Sequence, residues 1–190
     1  MNDSDLAECD AVIEFAAPYD ILSRIHKITK KKIPYIIGTT DWEEMHAEAK
    51  KITLEQGGTV LTAPNFSLGI ALLYKLCHAA ASLLAPAKEY SCSLLEMHHE
   101  QKVDSPSGTA KKIMQELAHS YPQLPFASLR AGHFPGTHEL IFDSPADTIT
   151  ISHVARNRSG FASGALDAAC WVQGKRGWFT FDNFIQEKFS

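Results

Sequence analysis

Three short apolar runs in the first third of this 190-residue chain, two of them followed by helix-type patterns, restrict its fold more than any other feature. Ala11-Val12-Ile13-Glu14-Phe15 has strand character, and from Pro18 onward Ile21, Leu22, Ile25 and Ile28 recur on one helical face. Pro34-Tyr35-Ile36-Ile37 is the second run and ends in Gly38-Thr39-Thr40. Residues 42–56 read as a helix whose start, Thr40-Asp41-Trp42-Glu43, has the capping-box spacing, and Gly57-Gly58 closes it. Thr59-Val60-Leu61-Thr62 is the third run and leads to Ala63-Pro64-Asn65-Phe66. Alternation of this kind predicts a parallel sheet with helices on its faces. In such a sheet ligands bind beyond the carboxyl ends of the strands, where Gly38-Thr39-Thr40 and Ala63-Pro64-Asn65-Phe66 fall.

The rhythm then changes. A long helix is predicted over residues 68–84, with Leu73, Leu76, Cys77, Ala80 and Leu84 on its apolar side. Strand patterns follow at 88–97, 127–130, 139–142 and 148–153, with one helix between them at 107–120. Thr148-Ile149-Thr150-Ile151-Ser152 alternates strictly, as an antiparallel strand with one wet face does. Strands gathered with few helices between them predict a second, α+β domain. An Ala-rich helix at 161–172, a strand at 177–181 and a short terminal helix complete the chain.

Composition narrows the class. Apolar residues at 45% and charged residues at 21% describe an ordinary soluble globular protein, and a net charge of −4 disfavours a nucleic-acid surface. Lys30-Lys31-Lys32 suits a solvated helix end. Four cysteines without C-x-x-C spacing, three of them in apolar contexts, predict a reducing cytoplasm. Residues 69–87 are apolar but are broken by Lys75 and His78, so no membrane span is expected. Nine histidines raise the alternative of a metal-dependent hydrolase built from His98, His99, His133, His138 and His153. No H-x-x-x-H or H-E-x-x-H spacing supports it, and no metal is predicted.

Chemistry concentrates in residues 95–110, L-E-M-H-H-E-Q-K-V-D-S-P-S-G-T-A. His98 and His99 fall where a strand ends and a loop begins, a place for side chains to converge on a ligand. Imidazole titrates near neutrality, and Lys102 supplies a positive charge or a proton. Ser105-Pro106-Ser107-Gly108-Thr109 opens a helix whose first amides can receive an anion such as a carboxylate. Together these predict a pocket for an acidic small molecule that receives a proton. For His133, His138, Arg130, Trp171 and Trp178 a structural role is expected, although Arg130 and Arg158 are placed to reach a substrate.

In these segments the chain closely resembles dihydrodipicolinate reductase, the 4-hydroxy-tetrahydrodipicolinate reductase of bacterial and plant lysine and diaminopimelate synthesis. The matching segments are V-I-E-F (12–15), I-G-T-T (37–40), A-P-N-F-S-L-G (63–69), H-H-E-Q-K-V-D-S-P-S-G-T-A (98–110), L-R-A-G (129–132) and H-V-A-R-N-R-S-G-F-A-S-G-A-L (153–166), in the family's order. The resemblance implies an NADPH- or NADH-dependent reductase acting on a dicarboxylate, typically a homotetramer. It implies His98 as general acid/base and Lys102 as the proton-donating lysine. His99, Gly108 and Thr109 match residues that hold the substrate. Gly38, Thr39, Thr40, Ala63, Pro64, Asn65, Phe66, Arg158 and Phe161 match cofactor contacts.

The fold implied is α/β: a truncated Rossmann-like domain, residues 1–66 with 162–190, and an α+β substrate and oligomerisation domain, residues 67–161, with a mixed or antiparallel sheet. "Truncated" marks one departure. Family members open with a strand and a G-x-x-G-x-M-G turn that cradles the cofactor pyrophosphate, and Met1 to Cys9 contains no glycine. A unit of roughly 30 residues is expected to be missing. Two readings follow: a reductase clipped from a longer protein, or a relative that keeps the substrate domain and binds no dinucleotide. Ala16-Ala17 is a smaller departure, standing where the family more often has a hydroxyl residue.

Overall fold

A computed structural model describes residue 6 and residues 8–189. In chain order the elements begin with β1 (Val12–Glu14), α1 (Ile21–Lys30), β2 (Tyr35–Ile37), a single 3-10 turn (Glu43–Met45), α2 (His46–Glu55), β3 (Thr59–Thr62) and α3 (Leu68–Leu84). They continue with β4 (Ser91–His98), α4 (Gly108–Leu117), β5 (Phe126–Arg130), β6 (Thr137–Asp143), β7 (Thr148–Val154), α5 (Ser159–Trp171), β8 (Gly177–Thr180) and α6 (Phe181–Lys188). Two compact units result, one made of the described residues up to Leu68 with those from Ser159 onward, the other of Gly69–Arg158.

The first unit holds a four-stranded sheet in the order β1-β2-β3-β8, parallel throughout. Every residue of β2 and β3 is buried, as expected for inner strands covered on both faces. Ile21, Ile25 and Ile28, spaced to share one side of α1, pack with Tyr35, Ile37, Trp42 and Val60 in its core. The start of α2 departs from the expected capping box. Thr40 Oγ1 donates to Asp41, no side chain caps the 3-10 turn, and the buried Trp42 donates its indole N–H to the Thr39 carbonyl. Burying that indole against Trp178 outweighs the local cap.

The second unit holds a mixed sheet in the order β5-β4-β6-β7, with β4 parallel to β5 and antiparallel to β6, and β6 antiparallel to β7. Helices α3 and α4 cover one face. Leu73, Cys77 and Ala81 of α3 and Ile113 and Leu117 of α4 pack on Leu94, Leu140 and Phe142. Leu76, expected on that apolar side, is 57% exposed: the buried stripe runs through 73, 77 and 81, and Leu76 turns away from it. Two cysteines, Cys77 and Cys92, are buried, while Cys9 and Cys170 are exposed. The apolar surroundings of Cys170 in sequence do not become burial in space. Among the described residues no helix is long and apolar enough to cross a membrane.

Candidate active site

Strand register assembles the site. Ser128, Glu96, His138 and His153 stand abreast on β5, β4, β6 and β7, and the next step along the sheet pairs Arg130 with His98. Side chains alternate along a strand, so Cys92, Leu94, Glu96 and His98 share the helix-covered face. That face is apolar at the start of β4 and polar at its end. Glu96 is 0%, His138 4% and His98 6% exposed.

A buried carboxylate must find donors, and Glu96 has three. Arg130 reaches Oε1 at 2.7 Å and Ser128 Oγ donates to it at 3.0 Å. The Ser107 amide is shared between both oxygens at 3.2 Å. Arg130 also donates to the Asp104 carbonyl, which ties the loop before α4 to β5. Ser107 is the N-cap of α4: its Oγ accepts from the Ala110 amide and faces His138 Nε2 at 3.0 Å. With the Ser107 and Ala110 amides taken, those of Gly108 and Thr109 are the open ones in the first turn. Nothing lies within 4 Å of where a Cβ on Gly108 would stand. Lys102 pairs with Asp104 at 2.6 Å on the same loop, and His99, just past β4, is half-buried.

Protonation follows from this arrangement. Burial opposes charge on Glu96, but the Ser107, Arg130 and Ser128 hydrogen bonds together outweigh it and hold the carboxyl below its usual range. Burial lowers His98, with the nearby Glu96 pulling the other way and Arg130 and Lys102 adding to the depression. His138 is lowered to about 4, chiefly by burial and then by His98. It is therefore neutral near pH 7.

In the first unit the expected cofactor residues line the carboxyl ends of β1 to β3. Gly38 lies flush under Phe15, whose ring would be 2.1 Å from a Cβ at that position, so any side chain there would displace that exposed ring. Thr39 is buried and donates to the Ala16 carbonyl at 2.8 Å, whereas Thr40 and Pro64 are exposed. Ala63 is buried, and Asn65 accepts from the Ser67 amide to close the turn after β3. Phe161 is half-buried in the first turn of α5, and Arg158, exposed, ends the segment that forms the second unit.

Comparison with known proteins decides the family. The profile described as "Dihydrodipicolinate reductase, N-terminus" matches residues 2–66, and "Dihydrodipicolinate reductase, C-terminus" matches residues 69–185. The chain belongs to the dihydrodipicolinate reductase family. It is 33% identical to the 4-hydroxy-tetrahydrodipicolinate reductase of Christiangramia forsetii over 195 residues, 96% of this chain and 82% of that protein. Identity is also 33% to the enzyme of that name from Neisseria meningitidis serogroup C, over 96% of this chain and 75% of that one. The fold is shared with a dipicolinate-bound dihydrodipicolinate reductase from Paenisporosarcina, with a TM-score of 0.79 at 22% identity, over 95% of this chain and 76% of that one. Dihydrodipicolinate reductases are NAD(P)H-dependent oxidoreductases of lysine and diaminopimelate synthesis whose amino-terminal domain binds the dinucleotide.

The residues at the β1–β3 edge fit a flat ring. Phe15 is 56% exposed above Gly38, with no side chain between them. Phe66, matched to a cofactor contact, is 0% exposed and lies edge-on behind Phe15 at 5.9 Å, so it backs the exposed ring. Glu96 and His138 were legible in sequence only as a strand residue and a turn-flanking histidine. Their period-two spacing from His98 and from Leu140 was the available signal, but pairing β4 with β6 requires the tertiary register. Arg130 turns to Glu96, not outward to a ligand. Glu96, His98 and His138 bring one ligand-type atom each within 4.8 Å of one another, the one such group among the described residues. Arg130 at 2.7 Å already neutralises the carboxylate, and that guanidinium opposes a second cation, so the cluster is an ion-pair network.

Proposed function

We propose that this chain reduces 4-hydroxy-tetrahydrodipicolinate to tetrahydrodipicolinate with NADPH or NADH in lysine and diaminopimelate synthesis. The observation that carries the reading is the site at the end of β4, where buried His98 stands beside the Glu96–Arg130 ion pair and next to the α4 start with two open amides. The nicotinamide, when bound, supplies the hydride; the first unit would hold it by Phe15, Gly38, Thr39, Thr40, Ala63, Pro64, Asn65 and Phe161, and Arg158 is a further contact that the family resemblance implies. Phe66 supports that shelf from behind.

In the second unit the Gly108 and Thr109 amides receive one substrate carboxylate, in the manner of a helix start that holds an anion. His99 and Lys102 oppose the other carboxylate and the charge that builds during transfer. His98 is the proton carrier, and a base of that kind acts best with a pKa near the working pH. Lys102 returns a proton from the solvent side of the loop. The working assembly is a homotetramer in the cytoplasm. Support comes from the uncovered face of the second unit's sheet, where Leu95, Met97, Leu129 and Ile141 stand on the side away from α3 and α4.

The decisive test is an assay of the full chain with reduced nicotinamide and freshly generated substrate. His98→Gln is expected to lower kcat by about 10²-fold or more with little change in KM. Unchanged turnover removes His98 from its role. A second reading is a relative that keeps the substrate domain and binds no dinucleotide. Titration of NADPH onto the chain separates the two: saturable binding supports the reductase, and its absence supports the second.

A further inference from the structure

His98 has two ring nitrogens, and the fold treats them differently. Nδ1 is sealed from solvent without a hydrogen-bond partner, and it faces Glu96 Oε2 at 3.8 Å. The other edge of the ring borders Gly136. A Cβ on that residue would stand 3.3 Å from His98 Nε2 and 3.4 Å from Cδ2, and its φ of 142° is one that side-chain-bearing residues rarely adopt. Glycine there keeps the Nε2 edge clear.

Glu96 Oε2 has room for one more donor. Oε1 takes Arg130 and Ser128, and Oε2 takes its share of the Ser107 amide, with the Ser107 hydroxyl also near enough to the carboxylate to favour its charged form. Two imidazoles lie near Oε2, His98 Nδ1 at 3.8 Å and His138 Nε2 at 3.7 Å. His138 Nε2 is already engaged at 3.0 Å by the Ser107 hydroxyl, whose oxygen accepts from the Ala110 amide and whose proton is therefore free to point at the ring. That leaves His98 Nδ1–H as the donor for Oε2. Hydrogen bonds of this kind are often long before substrate arrives and tighten in the complex.

We propose that Glu96 and Gly136 are positioning residues for the proton step: Glu96 holds His98 with its proton on Nδ1, so that Nε2, kept clear by Gly136, is the nitrogen that exchanges a proton with the substrate. The proposal rests on His98 being the proton carrier. A carboxylate at one imidazole nitrogen fixes the tautomer and favours the protonated ring formed during exchange. The charged and titratable groups facing His98 are Glu96 on β4, Arg130 on β5, His138 on β6, and Lys102 and Asp104 on the loop. Two cations oppose two anions, and His138 is neutral, so the orientation at Nδ1 is set by the nearest carboxylate and not by net charge.

The test is ring-nitrogen NMR of the full chain labelled with 15N-histidine, with His98→Gln assigning the resonance among the nine histidines. Neutral His98 is expected to carry its proton on Nδ1. In Glu96→Gln, Arg130 and Ser128 keep the amide oxygen on their side, so the NH₂ faces His98, the tautomer flips to Nε2–H, and kcat falls at least about tenfold. A wild-type ring protonated on Nε2, or a Glu96→Gln ring still protonated on Nδ1, overturns the proposal. Should Glu96→Gln fail to fold, the wild-type spectrum decides alone. Full activity in His98→Gln breaks the proposed function but leaves the tautomer result standing, so the two failures are separate.

Discussion

The inner face of β4 is two environments on one strand. Its first half, Cys92 and Leu94, packs on α3 and α4 and is held by burial of apolar surface. Its second half, Glu96 and His98, is equally buried but is held by an ion pair and donated hydrogen bonds. Backbone geometry is continuous between them, and only the chemistry of alternate residues changes. The apolar half tolerates replacement by another shape of similar volume, because dispersion and burial are not directional. The polar half does not, because each partner leaves another group unpaired when it is removed.

The largest expected effect breaks the polar half. Glu96→Ala strands the Arg130 guanidinium and frees the Ser107 amide and Ser128 hydroxyl, and it should cost about 3–5 kcal/mol of stability. Leu94→Ala, the matching deletion in the apolar half, should cost about 2–5 kcal/mol. Conservative replacements then separate the halves: Leu94→Met should recover most of the loss, and Glu96→Gln should recover little, since the partly buried Arg130 remains charged and loses its counter-ion. Urea denaturation of the four variants checks this. Equal recovery by both replacements would show that the Glu96 cluster is shape-filling and not electrostatic.

A smaller effect comes from pH. His138 titrates near 6.5 when unfolded and about 4 when folded, so between those values the unfolded chain takes up a proton that the native chain refuses. Stability therefore falls as pH drops from 6.5 towards 4, by up to about 3 kcal/mol from this residue. His98 and His153 are lowered as well, mainly by burial, and act in the same direction. Glu96, held below the usual carboxylate range, keeps its contribution through this window and loses it only at lower pH. His138→Gln retains a partner for Ser107 and should flatten the slope between pH 6.5 and 4.5. A wild-type urea midpoint that does not move across that range would mean that the network accepts a proton without penalty.

Periodicity carried most of the architecture because it reports burial directly. The runs at Tyr35-Ile36-Ile37 and Thr59-Val60-Leu61-Thr62 are buried throughout, and in sequence they already read as strands of a parallel sheet. His98, Lys102, Gly108 and Thr109 were legible because they lie within twelve residues on one strand–loop–helix passage. Glu96 was in that passage but unremarked, since a lone Glu in a strand says nothing until Arg130 of β5 and the Ser107 amide are placed on it. His138 is forty residues beyond His98 and meets it only through the β4–β6 pairing. The capping-box spacing at Thr40 failed for a related reason: the cap is local, and the Trp42 indole took its geometry from a core that local spacing does not describe.

The smallest expected effect is at Leu76 of α3, a helix that covers the apolar half. Leu73 and Leu76 of α3 differ by less than one turn, yet Leu73 is 3% and Leu76 57% exposed. A residue on the buried stripe loses its packing when truncated, whereas one beside the stripe loses little, because its side chain was already largely hydrated. Leu73→Ala should therefore cost about 2–5 kcal/mol and Leu76→Ala under about 0.5 kcal/mol. Chemical denaturation of the two variants measures the difference. A large loss at Leu76 would mean that its exposed surface is covered in solution by another copy of the chain, and a concentration-dependent midpoint in the wild type would identify that as the cause.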